Sequence, residues 1–326
     1  MDKLIGQKLC EQKINLGIEI LRMILCFWVL SFHCLDNTKI NYFLYYITKR
    51  KMYHVPCFCF ISFYFSYNVY FSGNNIKFKK RIERLLIPYI FWPFIFFVID
   101  NAFGIRRISL HDLKLQIIYG RQISVSLWYI FTLLFITIIF FIISKLFQHY
   151  FLFIIEIISI IIYIMQYSNY YYIFDGYKIN AKLTVISTLN LFPLSSIGLI
   201  FSTFNLIKYL KTYRKHTLFF SYLILYFLLR YNIFVDLGGF KGILFLFSSS
   251  CLFVCFFLLP LDNTNQFYQR IIKRITSYTN GIYCLHMGIH YFLATKFDFS
   301  GTFINISIEF YSYKKDKILI LIKNIR

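Results

Sequence analysis

Charged residues are scarce in this sequence, and acidic residues are the scarcest. Only 15% of the 326 residues are Asp, Glu, Lys or Arg, whereas soluble domains have about a quarter. The 5 prolines and 13 glycines form no linker-like segment, and no second soluble domain is evident. This balance argues against a water-soluble fold.

Apolar residues take the place of the missing charge. They make up 59% of the chain, with 22% aromatic, and the mean hydropathy is +0.61. A membrane-spanning helix needs about 20 mostly apolar residues, and runs such as "LWYIFTLLFITIIFFII" supply them without the alternation of β-barrel strands. We therefore predict an all-α, polytopic bundle of about nine to ten transmembrane helices. Spans are expected near residues 16–35, 53–72, 85–103, 126–144, 151–166, 183–206, 217–232, 242–260 and 281–298.

The basic residues indicate how the chain is oriented. The formal charge of +21 lies largely in the connections between apolar runs, which is typical of membrane topology and argues against a nucleic-acid partner. The connections predicted to lie on the same side of the membrane as the N-terminus carry a modest excess of Lys and Arg. We expect a multi-pass protein of the cell (inner or plasma) membrane with a cytoplasmic N-terminus.

The domain division and the cysteines add two expectations. Residues 1–300 are predicted to form one integral-membrane domain, followed by a polar tail or degenerate last span over 301–326. The 8 cysteines lie mostly in or beside apolar runs, where Cys behaves as a small hydrophobe. Neither a disulfide framework nor a metal site is predicted.

The stretch "GIEILRMILCFWVLSFH" (residues 17–33) places three ionisable residues in an apolar helix. At about 100° per residue, Arg22 and His33 point the same way, about 16 Å apart along the axis. Glu19 lies one turn before Arg22, near the same face. Ionisable groups in a membrane interior usually mark a functional pathway. The alternative is a boundary arginine, its surface partner and an interfacial histidine.

Arg22, ten intervening residues and His33 resemble the R-x10-H signature in the first membrane helix of the acyltransferase 3 family, in which an acidic residue often takes the position of Glu19. The family consists of integral-membrane acyltransferases that modify carbohydrates and other acceptors. The resemblance therefore implies an acyl-CoA donor, expected to be acetyl-CoA, and a surface or lipid-linked glycan acceptor such as an O-antigen or capsule unit.

Four further segments resemble the family in the same order. "VPCFCFISFYFS" is similar to its second helix, with Ser62 retained and Phe63 in place of Gly. "KKRIERLLIPYIFW" resembles its R-x-x-R segment, and "SLWYIFTLL" its Leu-Trp-Phe motif, with Ser126 where His is common. "GIYCLHMGIHYF" resembles a late Tyr-x-x-His segment that contains His286.

These residues suggest roles in acyl transfer. His33 is the candidate general base, because imidazole titrates near neutral pH. Arg22 stays protonated, so it would hold Glu19, the donor or a developing negative charge. Glu19 is expected mainly to keep Arg22 paired. The resemblance favours Arg81 and Arg84, one helical turn apart, as ligands of the coenzyme A phosphates.

Other polar residues carry weaker hypotheses. Glu156 either lines a cavity or joins helices, and His286 is a candidate to touch substrate. His290 follows one turn later, but no third metal ligand is evident. Trp128 is either a cavity residue or an interfacial anchor. The alternative function is a glycan exporter without transferase activity, in which buried acidic residues would form a relay.

Overall fold

The computed structural model describes residues 15–34, 54–72, 75–120, 123, 127–167, 179–230, 241–261, 265–279 and 281–284. Twelve α-helices are assigned within these residues. They are α1 (Leu16–Cys34), α2 (His54–Tyr64), α3 (Tyr67–Phe71), α4 (Asn75–Ala102), α5 (Leu110–Tyr119), α6 (Trp128–Leu146), α7 (Phe151–Tyr167), α8 (Ile179–Thr203), α9 (Leu206–Thr212), α10 (Arg214–Arg230), α11 (Lys241–Phe257) and α12 (Gln266–Ser277).

The all-helical prediction is confirmed for the described part of the chain. Four helical segments are long and apolar enough to cross a membrane, namely Asn75–Ala102, Trp128–Leu146, Gln148–Met165 and Val185–Thr203. Two shorter apolar helices, His54–Tyr64 and Leu246–Phe257, accompany them. The count of nine to ten spans stays a prediction, as does the division at residue 300, because residues 301–326 lie outside the described part.

Two helix boundaries differ from the predicted spans. The span expected over 53–72 is divided into α2 and α3, with the Ser66 hydroxyl donating to the Ser62 carbonyl at the break. The helix expected from residue 85 begins at Asn75, ten residues earlier. Lys, Arg and Glu favour helix even where they are too polar for lipid. The basic run therefore extends α4 beyond its apolar part.

Helix α2 lies at the centre of the bundle, between α1, α8 and α11. Gly198 of α8 permits the closest of these approaches, because a Cβ there would lie 2.6 Å from the Phe60 carbonyl oxygen. Gly17 likewise lets α1 approach α11 closely, because a side chain at this position would overlap the Phe256 carbonyl group. Small residues let membrane helices approach backbone to backbone.

The described contacts bring the start of α1, the end of α2 and the end of α11 together. The Asn15 side-chain amide donates to the Phe257 carbonyl at 3.0 Å, and the rings of Tyr64 and Phe257 lie 5.8 Å apart. The Arg214 Nε donates to the Leu258 carbonyl at the same end, at 2.8 Å. We call this region the α1-start end.

At the other end of α4, a polar connection folds back on the bundle. Asp100 is buried and paired with Arg106, whose Nε donates to its Oδ2 at 2.7 Å. Helix α5 then begins with a reciprocal capping box between Ser109 and Asp112 and ends at Gly120 with a positive φ of 73°. These caps stabilise a helix that the span prediction did not include.

We predict that Gly198→Ala destabilises the protein by about 1–3 kcal/mol, because the added methyl group forces α8 away from α2. Gly281→Ala is the matched control, since a Cβ at Gly281 would meet no described residue within 4 Å. Thermal unfolding of the detergent-solubilised protein measures the difference. Equal midpoints for the two variants would contradict the close α2–α8 packing.

Candidate functional site

Helix α1 carries a half-buried ion pair, followed along the same face by buried residues. Arg22 Nη1 donates to both carboxylate oxygens of Glu19 at 3.3 Å, and the two side chains are 30% and 16% exposed. Cys26 and Val29 follow Arg22 within about 40° of the same helix face, and both are buried. The Cys26 thiol faces the Thr279 carbonyl at 3.7 Å. This side of α1 therefore faces the bundle rather than its surroundings.

His33 lies in the last turn of α1, and its side chain is outside the described part. Because α1 is one continuous helix from Leu16 to Cys34, His33 lies about 20° around the axis from Arg22 and about 16 Å further along it. The Glu19–Arg22 pair is at the α1-start end of the bundle. The spacing therefore separates the arginine and the histidine along most of the length of α1.

Arg81 lies in a cradle of hydroxyl groups at the α1-start end. Its Nε donates to Thr137 Oγ1 at 3.1 Å and its Nη2 to Ser62 Oγ at 3.1 Å. Its Nη1 donates to Ser66 Oγ and, at 3.5 Å, to the Ser62 carbonyl. The guanidinium also lies 5.0 Å from the centre of the Phe63 ring. These contacts join α4 to α2, to the turn after it and to α6.

Arg84, one turn after Arg81, has different surroundings. It is exposed on the outer side of α4, whereas Arg81 is half-buried and donates four hydrogen bonds within the protein. That Arg81 and Arg84 together bind the phosphates of coenzyme A stays a prediction. The contacts nevertheless assign Arg81 an internal function that Arg84 does not have.

Three of the sequence motifs meet in an aromatic cluster. Phe58 of α2, Tyr129 of α6 and Tyr283 lie with ring centres 5.6–6.5 Å apart. Trp128 is half-buried beside Tyr129, at a ring distance of 6.2 Å. His54 and Trp28 make a further ring contact at 6.1 Å, near the start of α2. Aromatic rings from α1, α2, α6 and the segment after α12 thus pack together near the start of α2.

Glu156 of α7 lies apart from these groups. One of its carboxylate oxygens is buried without a hydrogen-bond partner among the described residues. Its carboxyl group interacts with Ser196 of α8, and the Ser196 hydroxyl contacts that of Ser159 at 3.0 Å. These polar contacts join α7 to α8. That Glu156 lines a cavity stays a prediction.

The two late histidines lie outside the part of the chain that the structure describes. The proposed contacts of His286 and His290 with substrate or metal therefore stay predictions. In the described part, no three His, Cys, Asp or Glu side chains form a cluster that could hold a metal ion. The fold does place Tyr283, three residues before His286, inside the aromatic cluster.

Comparison of the sequence with known protein families identifies the family to which the chain belongs. The sequence profile of the acyltransferase domain Acyl_transf_3 matches residues 15–312. The chain belongs to the acyltransferase 3 family. No curated protein and no solved structure is significantly similar to it. Family membership implies a membrane acyltransferase with an acyl donor and an acceptor, in agreement with the resemblance of the five motifs.

The sequence alone did not indicate the acceptors of Arg81. Ser62 lies in a recognised motif, and Ser66 follows it at i+4, so helical spacing could have suggested these two. Thr137 is 56 residues from Arg81, in a mostly apolar helix. Only the packing of α4 against α6 brings it to the guanidinium.

We predict that Thr137→Val destabilises the protein by about 1–3 kcal/mol, because the Arg81 Nε–H then lacks its acceptor in an apolar surrounding. The matched control is Thr212→Val. The Thr212 hydroxyl is exposed and donates only to its own helix, at 3.3 Å. Unfolding of both variants in detergent would be followed by size-exclusion chromatography after heating. A Thr137→Val midpoint equal to that of the control would contradict the cradle.

Proposed function

We propose that this protein is a membrane O-acyltransferase that moves an acetyl group from acetyl-CoA to a hydroxyl of a surface or lipid-linked glycan, such as an O-antigen or capsule unit. The observation that carries this proposal is the family match over residues 15–312. The half-buried Glu19–Arg22 pair of α1 supports it, since charged groups inside an apolar helix bundle are costly and usually mark a functional site.

The proposed orientation places the α1-start end in the cytoplasm. The basic run at the start of α4 lies at this end, because Arg81 contacts the end of α2. Clusters of Lys and Arg favour the cytoplasmic side of a membrane. Acetyl-CoA would therefore approach from this side of the cell membrane, and the glycan hydroxyl would be acetylated nearer the turn that holds His33.

His33 is proposed as the general base. Its imidazole takes the proton of the glycan hydroxyl as the oxygen attacks the thioester carbonyl carbon. The carbon–sulfur bond then breaks, the ester forms, and the coenzyme A thiolate takes up the proton. Arg22 would stabilise negative charge on the donor side, and Glu19 would keep the guanidinium oriented. A path along α1 between Arg22 and His33 would connect the two substrates.

The start of α4 is proposed to bind the donor. Arg84 is exposed and suited to bidentate phosphate contacts. Arg81 would act beside it by holding the helix. Glu156 is the residue that best supports the rival exporter, since one of its buried carboxylate oxygens has no hydrogen-bond partner among the described residues.

We predict that His33→Ala lowers glycan acetylation at least about 100-fold, because a general base contributes about 10²- to 10⁴-fold to the rate. The measurement is the base-labile acetyl ester content of the surface glycan, by proton NMR and mass. It would be made in cells with the intact protein, without the protein, and with the His33 variant present at normal membrane levels.

His149→Ala is the control for removing an imidazole, since His149 is exposed in the short turn between α6 and α7. It should leave acetylation unchanged. Equal acetylation in all strains, together with glycan that fails to reach the surface without the protein, would overturn the transferase and favour the exporter.

A further inference from the structure

The guanidinium of Arg81 has little capacity left for a phosphate. A guanidinium carries five N–H donors, and Arg81 donates four hydrogen bonds to Ser62, Ser66 and Thr137. Binding a phosphate in a bidentate manner would require it to give up part of this cradle. The phosphate ligands of the donor must therefore come mainly from other residues.

A basic stripe runs along α4 beside Arg81. Lys77, Lys80 and Arg84 are spaced by three and four residues, so they lie within about 60° of one helix face and extend over about 10 Å along the axis. Lys80 and Arg84 are exposed, and Lys77 is half-buried. Their three positive charges are close enough to act on one polyanion.

Lys79 belongs to another face. Its ammonium group lies 3.9 Å from the Glu83 carboxylate, and both side chains are at least half exposed. Glu83 partly compensates this charge, although a surface pair of this kind is weak. The helix therefore offers a basic stripe that has no ion-pair partner among the described residues, and one paired lysine beside it.

We propose that the phosphates of the acyl-CoA donor bind across Lys77, Lys80 and Arg84, and that Arg81 is a positioning residue that holds this stripe against α2 and α6. The inference rests on the proposed function, because it presumes an acyl-CoA donor. Coenzyme A carries a diphosphate and a 3′-phosphate. Arg84 suits a bidentate phosphate contact, and the two lysines supply point charges along the same side.

The test measures binding of coenzyme A to the full-length protein in nanodiscs at low ionic strength. Arg84→Gln and Lys80→Gln should each raise the Kd about tenfold, since charge-assisted hydrogen bonds are among the stronger polar contacts. Lys79→Gln removes the same charge from the same helix and should change the Kd less than about twofold, because Lys79 lies off the stripe. 3′-Dephospho-coenzyme A would show whether the 3′-phosphate contributes.

Salt dependence distinguishes ligands from the positioning residue. Arg84→Gln should flatten the rise of Kd with salt, because it removes a charge that salt screens. Thr137→Val removes an acceptor of Arg81 and no positive charge, so it should raise the Kd severalfold and leave the salt dependence unchanged. A steep salt dependence retained in Arg84→Gln would overturn its assignment as a ligand, and a flattened one in Thr137→Val would overturn the positioning assignment.

The outcomes also separate this inference from the proposed function. Wild-type protein that binds no coenzyme A would overturn the acyl-CoA donor, and the stripe with it. Wild-type protein that binds coenzyme A, with equal losses in Lys79→Gln, Lys80→Gln and Arg84→Gln, would leave the proposed donor intact. It would overturn the stripe as the specific site.

Discussion

A guanidinium inside an apolar helix bundle requires hydrogen-bond acceptors, and Arg81 sets this requirement for the whole α1-start end. An unpaired buried charge costs several kcal/mol, so Ser62, Ser66 and Thr137 must lie where the guanidinium can reach them. They belong to different elements. Satisfying one side chain therefore holds α2, the turn after it and α6 against α4.

The same principle explains how the rest of the candidate site is arranged. The charge of Arg22 is compensated within its own helix by Glu19, so α1 needs no charged partner from another element. The same side of α1 can face the segment after α12 through Cys26 and Val29. Between the two ends, Phe58, Tyr129 and Tyr283 fill the bundle. A second ion pair, Asp100–Arg106, lies at the other end of α4.

The sequence predicts the helices better than it predicts their contacts. Apolar runs locate α6 and α7 closely, because lipid requires length and hydropathy. The early start of α4 was missed because its basic turns are helical without being apolar. Helix α5 was also missed, although the Ser109–Asp112 capping box is visible in the sequence.

The candidate site shows the same division. The motifs pointed to Arg22, Arg81 and the Tyr-x-x-His segment that contains Tyr283, since residue type and spacing are local properties. The Thr137 acceptor and the Phe58–Tyr129–Tyr283 cluster depend on side chains far apart in sequence meeting through packing. Periodicity within one helix carries no information on such meetings.

We expect the acetyl group to pass from cytoplasmic acetyl-CoA to glycan on the opposite side of the membrane, and sealed vesicles of known orientation can show this. Sealed vesicles, either inverted or right-side-out, would contain the protein together with unacetylated lipid-linked glycan, prepared from cells that lack the protein. Radiolabelled acetyl-CoA would be added to the outside of the vesicles. We expect base-labile label on the glycan only in inverted vesicles, in which the cytoplasmic face of the membrane is on the outside. The labelled glycan should then lie inside the vesicles. Equal labelling in both orientations, or label confined to glycan on the donor side, would contradict it.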